Sequence, residues 1–146
     1  MNSFQLPIKF EAIVYTENQS ESIKVLALKR SPHEGGFWQP VTGTLESGES
    51  LKECLYRELG EEISLRASDV ALISDCFYSF TWEREAIVYS EYVFAVKLTH
   101  TPEIILSDEH EAYQWVDIEN IQEIFEKQNN KKAVLKFKEI LFLQAT

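Results

Sequence analysis

The stretch Ser50 to Ile63 constrains this chain more than any other. Ser50 followed three residues later by Glu53 is the pattern of a capping box, and Leu51, Leu55 and Leu59 recur at helical spacing, so the sequence predicts a helix here. Projected at about 100° per residue from Leu51, Leu55 falls near about 40°, Leu59 about 80°, Glu58 about −20°, Glu62 about +20° and Glu61 about −80°. Glutamates on a helix are ordinarily a solvated face, and solvated acids should lie opposite the leucines, where Glu53, Tyr56 and Gly60 project instead. Glu58, Glu61 and Glu62 crowd one another at i, i+3 and i+4. They also stand near the helix C-terminus, where the macrodipole disfavours negative charge. A hard divalent cation offsets both costs, because carboxylate oxygens are its preferred ligands. Arg57 supplies one further positive partner.

The rest of the 146 residues fits one compact domain, and an apolar fraction of 45% is enough for a core. A net charge of −10 disfavours binding of a nucleic-acid polymer, although local cations or metal ions can still gather a small phosphorylated ligand. Cys54 and Cys76 form no CxxC pair and are expected to be buried free thiols. His33, His100 and His110 share no metal-like spacing and are not assigned to metal. The opening residues lack the basic-then-apolar pattern of a signal peptide, and no apolar run approaches the roughly 20 residues of a membrane span. The expectation is a soluble cytoplasmic protein.

Strands are predicted over Ile8–Tyr15, Ser22–Lys29, Val70–Phe80, Ala86–Leu98 and Ala112–Val116, with Phe37–Thr42 a short aromatic segment. Thr16–Glu21, Ser31–Gly36 and Gly43–Gly48 read as turns or loops, and Trp82–Glu85 as a short charged turn. Asp117 is expected to cap a helix over Ile118–Lys127, and Asn129 or Asn130 to open a last helix over Lys131–Leu143. Together these give an α/β (α+β) fold, a mixed β-sheet sandwiched between α-helices.

Gly43-Thr-Leu-Glu-Ser-Gly-Glu49, seven residues, and then Arg57-Glu58-Leu59-Gly60-Glu61-Glu62-Ile63-Ser64-Leu65 resembles the Nudix box. Its pattern is G, five residues, E, seven residues, then R-E-hydrophobic-x-E-E-x-G-hydrophobic. Every defined position in residues 43–65 matches except that Ser64 replaces the last glycine. Glycine there would serve as a helix-ending residue with positive φ, so serine costs about 1 kcal/mol or less and leaves the acids untouched.

The resemblance implies the Nudix fold over a single domain, 1–146, and Mg²⁺-dependent hydrolysis of a diphosphate linked to another moiety, with Mn²⁺ able to substitute. It implies that Glu58, Glu61 and Glu62 bind the metal or act as base, that Arg57 orients them by pairing with an acid such as Glu49, and that Gly43 lets its backbone approach metal or phosphate. Phe37-Trp38-Gln39-Pro40-Val41-Thr42-Gly43 and Glu109-His110-Glu111-Ala112-Tyr113-Gln114-Trp115 look like segments of the bacterial dihydroneopterin triphosphate pyrophosphatases of this family, which act in folate synthesis and were first described as dATP pyrophosphohydrolases. By that likeness Glu109 is a further metal ligand or the general base; alternatively it is a surface acid.

Arg30 and Lys29, at a strand end, are candidates to grip a substrate phosphate, or are simply solvated. Phe37, Trp38 and Gln39 are candidates for the substrate pocket, where the two aromatic rings form a wall for a planar base or pack the core instead. Tyr78, Phe80 and Trp82 are a second aromatic group, and Lys131 and Lys132 open the last helix as solvated cations or phosphate contacts. The expected partner is a small nucleotide or pterin triphosphate, with no membrane and a monomer slightly favoured. Two other readings stand: hydrolysis of dinucleoside polyphosphates or nucleotide sugars, and a non-catalytic binding module, which the full set of box glutamates disfavours.

Overall fold

The computed structural model describes residues 5–17 and 22–145. Residues 18–21, most of the predicted Thr16–Glu21 turn, lie outside them, and Thr16 and Glu17 extend the first strand, β1 (Gln5–Glu17). β1 alternates strictly. Phe10, Ala12 and Val14 enter one core, and Ile13 and Tyr15 the other. β2 (Ile23–Arg30) repeats the pattern, with Leu26 and Leu28 on the first side and Val25 and Ala27 on the second. A sheet apolar on both faces must be covered on both faces, as the sequence predicted.

The remaining strands are β3 (Trp38–Gln39), β4 (Val41–Glu46), β5 (Val70–Ile73), β6 (Tyr78–Arg84), β7 (Ile87–Leu98) and β8 (His110–Asp117). β1 runs parallel to β7 from Ile8↔Ser90 to Tyr15↔Lys97. On its other edge β1 meets two antiparallel strands, β4 along Gln5–Ala12 and β2 along Tyr15–Glu17. β2 and β4 therefore fork at β1, and the fork sets the place of the site. Helix α1 (Leu51–Ile63) covers one face through Leu55, Leu59 and Ile63, each worth about 1.5–3 kcal/mol when buried. Helix α2 (Ile121–Ile124) and helix α3 (Gln128–Ala145) cover the other through Ile121, Ala133, Val134 and Phe137.

Several expectations need correction. Gly43 is not in a loop: it pairs with Phe10 inside β4, and the turn shrinks to Ser47–Gly48. Val70–Phe80 is broken, because the Ser74 hydroxyl takes the Ala95 N–H (2.8 Å) and interrupts the ladder against β7. Trp82 to Arg84 stay in β6, and the chain reverses at Glu85 and Ala86, whose φ values are 53° and 66°. Asp117 accepts the Glu119 N–H as a cap (3.0 Å), yet the helix that follows is only α2. It ends because Phe125 turns extended to bury its ring completely. α3 begins three residues early, at Gln128, and Asn130 faces inward rather than capping. Cys54 is buried, but Cys76 is exposed in the link between β5 and β6; both thiols are free.

α1 forms as predicted. The Ser50 hydroxyl accepts from Glu53 N (3.1 Å), and the Glu53 carboxylate accepts from Ser50 N (2.8 Å). The helix closes at Ser64 with φ 60°, the left-handed conformation glycine would take without cost. Serine gains something in exchange, since its hydroxyl donates to Ile105 O (3.1 Å). We predict that Ser64→Gly is close to neutral in urea unfolding, because relief of strain offsets the lost hydrogen bond. Ser64→Ala keeps the strain and loses the bond, so it should be less stable by about 1 kcal/mol.

Candidate functional site

The site is assembled around Arg57. Its Nη2 donates to Glu49 (2.7 Å) and to Thr44 O (3.1 Å) and stands 3.2 Å from Glu46. Nε donates to Glu49 (3.1 Å), and Nη1 to Glu58 (2.8 Å) and Glu61 (3.2 Å). Arg57 thus ties α1 to the end of β4 and to the turn after it. The Arg57 guanidinium, working against burial, holds Glu49 at a pKa of about 2. Glu58 goes the other way. Burial pushes it up to about 7, with Glu61 and Glu62 adding to the rise and Arg57 opposing it.

Gly43 explains how Glu58 reaches the sheet. A Cβ built on Gly43 would overlap Glu58 Cγ and the Phe10 ring, and would lie 2.8 Å from Glu58 Cδ. The glycine is required by close approach, not by its backbone angle.

Glu62 is buried and faces a different neighbour. Residues Ile104 to Glu109 are strapped to the end of α1 by Ile105 N–H to Ile63 O (3.4 Å) and Ser107 N–H to Glu62 O (3.1 Å). The Ser107 hydroxyl donates to Glu62 Oε2 (3.0 Å), and His110 Nδ1 lies 3.2 Å from the same oxygen. Burial raises the Glu62 pKa, but these two groups outweigh it and hold the acid below its ordinary range. The strap also delivers Glu109 beside Glu62, where burial and the Glu62 charge raise its pKa.

The acids singled out in the sequence are therefore brought to one end of α1. Glu58 and Glu62 are largely shielded there, whereas Glu61, on the outer flank, is mostly exposed. Among the described residues, no three Asp, Glu, His or Cys groups close on one point at metal-holding distance. Arg57 draws Glu58 and Glu61 to itself, and Ser107 and His110 take Glu62. The donor set consists of carboxylate oxygens on a glycine-cleared floor, which fits a hard divalent cation.

Across the sheet, on the α3 face, a cavity of about 460 Å³ is lined by Arg30, Phe37 and Gln39 together with Lys9, Phe80 and Trp82. Of the pocket residues expected from sequence, Arg30, Phe37 and Gln39 line it. Lys29 does not: it pairs with Glu111 (3.0 Å). Trp38 packs into the core beside α3, and Tyr78, Lys131 and Lys132 are not in the lining either. Lys9 was missed in the sequence as one lysine in a strand. It donates to Thr44 (2.9 Å), and both Glu91 and Glu58 act on its charge. Glu11, Glu91 and Asn130 were also missed; an acid at an inward position of a strand was the available signal. Burial pushes the Cys54 thiol up to about 12, so it is inert packing.

The NUDIX domain matches residues 7–137. Dihydroneopterin triphosphate diphosphatase of Haemophilus influenzae is 33% identical over 137 residues, covering 86% of this chain and 83% of that protein. An octanoyltransferase of Myxococcus xanthus is 34% identical over 112 residues, 77% of this chain, but the chain spans only 31% of that protein's length. The crystal structure of a Caenorhabditis elegans Ap4A hydrolase binary complex superposes with TM-score 0.81 at 24% identity, covering 92% of this chain and 96% of that one. Among the described residues, no helix is long and apolar enough to cross a membrane.

The geometry has two measurable consequences. Gly43→Ala should displace Glu58 and lower turnover by at least about tenfold, while circular dichroism stays native; wild-type rates would contradict the close approach. The second concerns pH. An acid whose folded pKa is raised stabilises the fold fully below its unfolded pKa of about 4.5, and that contribution is lost as pH rises through the folded value. The lowered acids Glu49 and Glu62 titrate below this window. Stability of the metal-free protein should therefore fall between about pH 5 and 7.5, and Glu58→Gln should flatten part of that slope in urea titrations at stepped pH.

Proposed function

This chain belongs to the NUDIX family and is a pyrophosphohydrolase, and from that premise we propose that its substrate is a pterin or purine triphosphate, split into a monophosphate and pyrophosphate. Dihydroneopterin triphosphate is the first choice and a deoxynucleoside triphosphate such as dATP the second, in keeping with the Haemophilus influenzae relative. With the first substrate the enzyme would act in folate synthesis, in the cytoplasm.

The observation that carries this reading is a cation-rimmed aromatic cavity linked to the Arg57-braced acids through Lys9, on whose charge Glu58 acts. Phe37 and Phe80 offer faces for a planar ring, while Arg30, Lys9 and Lys127 offer charge for phosphate oxygens. Lys127 already sits 4.2 Å over the Phe37 ring. Lys9 lies within the field of Glu58, so a phosphate that it held would be presented toward the acids.

Glu58, Glu61 and Glu62, with Glu109, are the residues that would hold Mg²⁺ or Mn²⁺. When bound, such an ion neutralises phosphate oxygens and eases loss of pyrophosphate. Arg57 orients the acids from behind, and its own charge offsets part of their repulsion. In the reaction a water oxygen bonds to phosphorus, the bridging P–O bond breaks, and the water proton passes to a carboxylate oxygen. Glu58, Glu61 and Glu109 are the acids available for that proton. A group with a pKa near neutrality, as Glu58 has here, is suited to take and return it.

The test is a panel of dihydroneopterin triphosphate, dATP, dGTP, Ap4A and a nucleotide sugar with Mg²⁺, with products identified by chromatography. Pyrophosphate and a monophosphate are expected from the triphosphates. Turnover confined to Ap4A or the nucleotide sugar would contradict the reading. In the same assay Glu61→Gln should lose at least about 100-fold in kcat while remaining folded; near-normal activity would remove Glu61 from the mechanism.

A further inference from the structure

The floor of the cavity is polar, and its hydrogen bonds run in one direction. Asn130 Nδ2 donates to Glu11 Oε1 (2.7 Å), and Trp82 Nε1 donates to Glu91 Oε1 (2.9 Å). Glu11 is fully buried, and the charge of Glu91 acts on it. Burial and the neighbouring Glu91 charge push Glu11 well above the ordinary carboxylate range. Asn130 turns its amide nitrogen to Glu11, and its oxygen is left without a partner.

Three polar atoms there are buried without a hydrogen-bond partner: Asn130 Oδ1, Gln39 Nε2 and Glu11 Oε2. Their residues are at least nine-tenths buried, and Asn130, Gln39 and Glu91 line the cavity. Unmet groups of this kind are uncommon in a protein interior and favour a ligand that completes them. The complement is specific. Asn130 Oδ1 and the Glu91 carboxylate accept, and Gln39 Nε2 donates.

Resting on the triphosphate reading above, we propose that Glu91, Asn130 and Gln39 form the subsite that reads the heterocycle, and that it selects a 2-amino-4-oxo edge. That edge presents an exocyclic amine and a ring N–H to the two acceptors and a carbonyl oxygen to the Gln39 amide. An adenine edge presents one amine and an unprotonated ring nitrogen, which would face an acceptor and lose that bond. Phe37 and Phe80 flank the ring, and Glu11 is a positioning residue that keeps Asn130 and Glu91 in register. The subsite thus orders the two proposed substrates: pterin and guanine compounds before dATP.

The test separates recognition from catalysis. Binding of GMP, IMP and AMP is measured by calorimetry without metal, alongside kcat/KM for dGTP, dITP and dATP with Mg²⁺. IMP and dITP keep the oxo group and lack only the amine. GMP should bind at least about tenfold tighter than IMP or AMP, because an acceptor left bare in a buried site is costly. Glu91→Gln replaces one acceptor oxygen by a donor and should bring GMP binding down to the IMP level. Equal binding of GMP and IMP by the wild-type protein overturns the proposal, whether or not the variants fold. If GMP is preferred but no triphosphate is hydrolysed, the subsite stands and the triphosphate reading fails.

Discussion

Arg57 stands among four carboxylates, Glu46, Glu49, Glu58 and Glu61, and the arrangement of the site depends on it. Without a cation at its centre this corner of the fold would be a cluster of like charges at a helix C-terminus. The guanidinium joins the end of β4, the turn at Ser47–Gly48 and the third turn of α1 into one unit, and it does so from partly buried ground where its bonds are strong. It holds Glu49 firmly ionised, whereas burial raises Glu58 to a pKa of about 7 against its pull, so chemically identical side chains differ in charge near neutral pH.

The sheet determines what that unit can reach. Because β2 and β4 diverge along the same edge of β1, α1 approaches the sheet beside an opening. Gly43, lacking a side chain, lets Glu58 lie directly against β4. On the opposite face, Lys9 from β1 meets Thr44 from β4, and the cavity opens there. The acids and the cavity thus belong to opposite faces of the same short stretch of β1, joined through Lys9.

Part of this was legible in the sequence. The capping box at Ser50, the leucine stripe and the alternation in β1 and β2 are local patterns, and each formed where it was expected. The gathering of Glu58 and Glu62 against the packed face follows from helical geometry alone. What failed was decided by distant partners. Gly43 looked like loop because its pairing with Phe10 spans 33 residues, and the second helix was cut short by burial of Phe125. Lys29 and Trp38 are chain neighbours of pocket residues, yet Lys29 pairs with Glu111 and Trp38 packs into the core beside α3. The Glu11–Asn130 bond joins groups 119 positions apart, and no local pattern marks it.

We propose that the α1 acids form a divalent-cation site once Arg57 shares them. Titration of the protein with Mn²⁺, followed by electron paramagnetic resonance of the free ion, tests it directly. The free-ion signal should fall saturably with the wild-type protein, and binding should weaken by at least about tenfold in Glu58→Gln. Equal Mn²⁺ binding by the two proteins would contradict it.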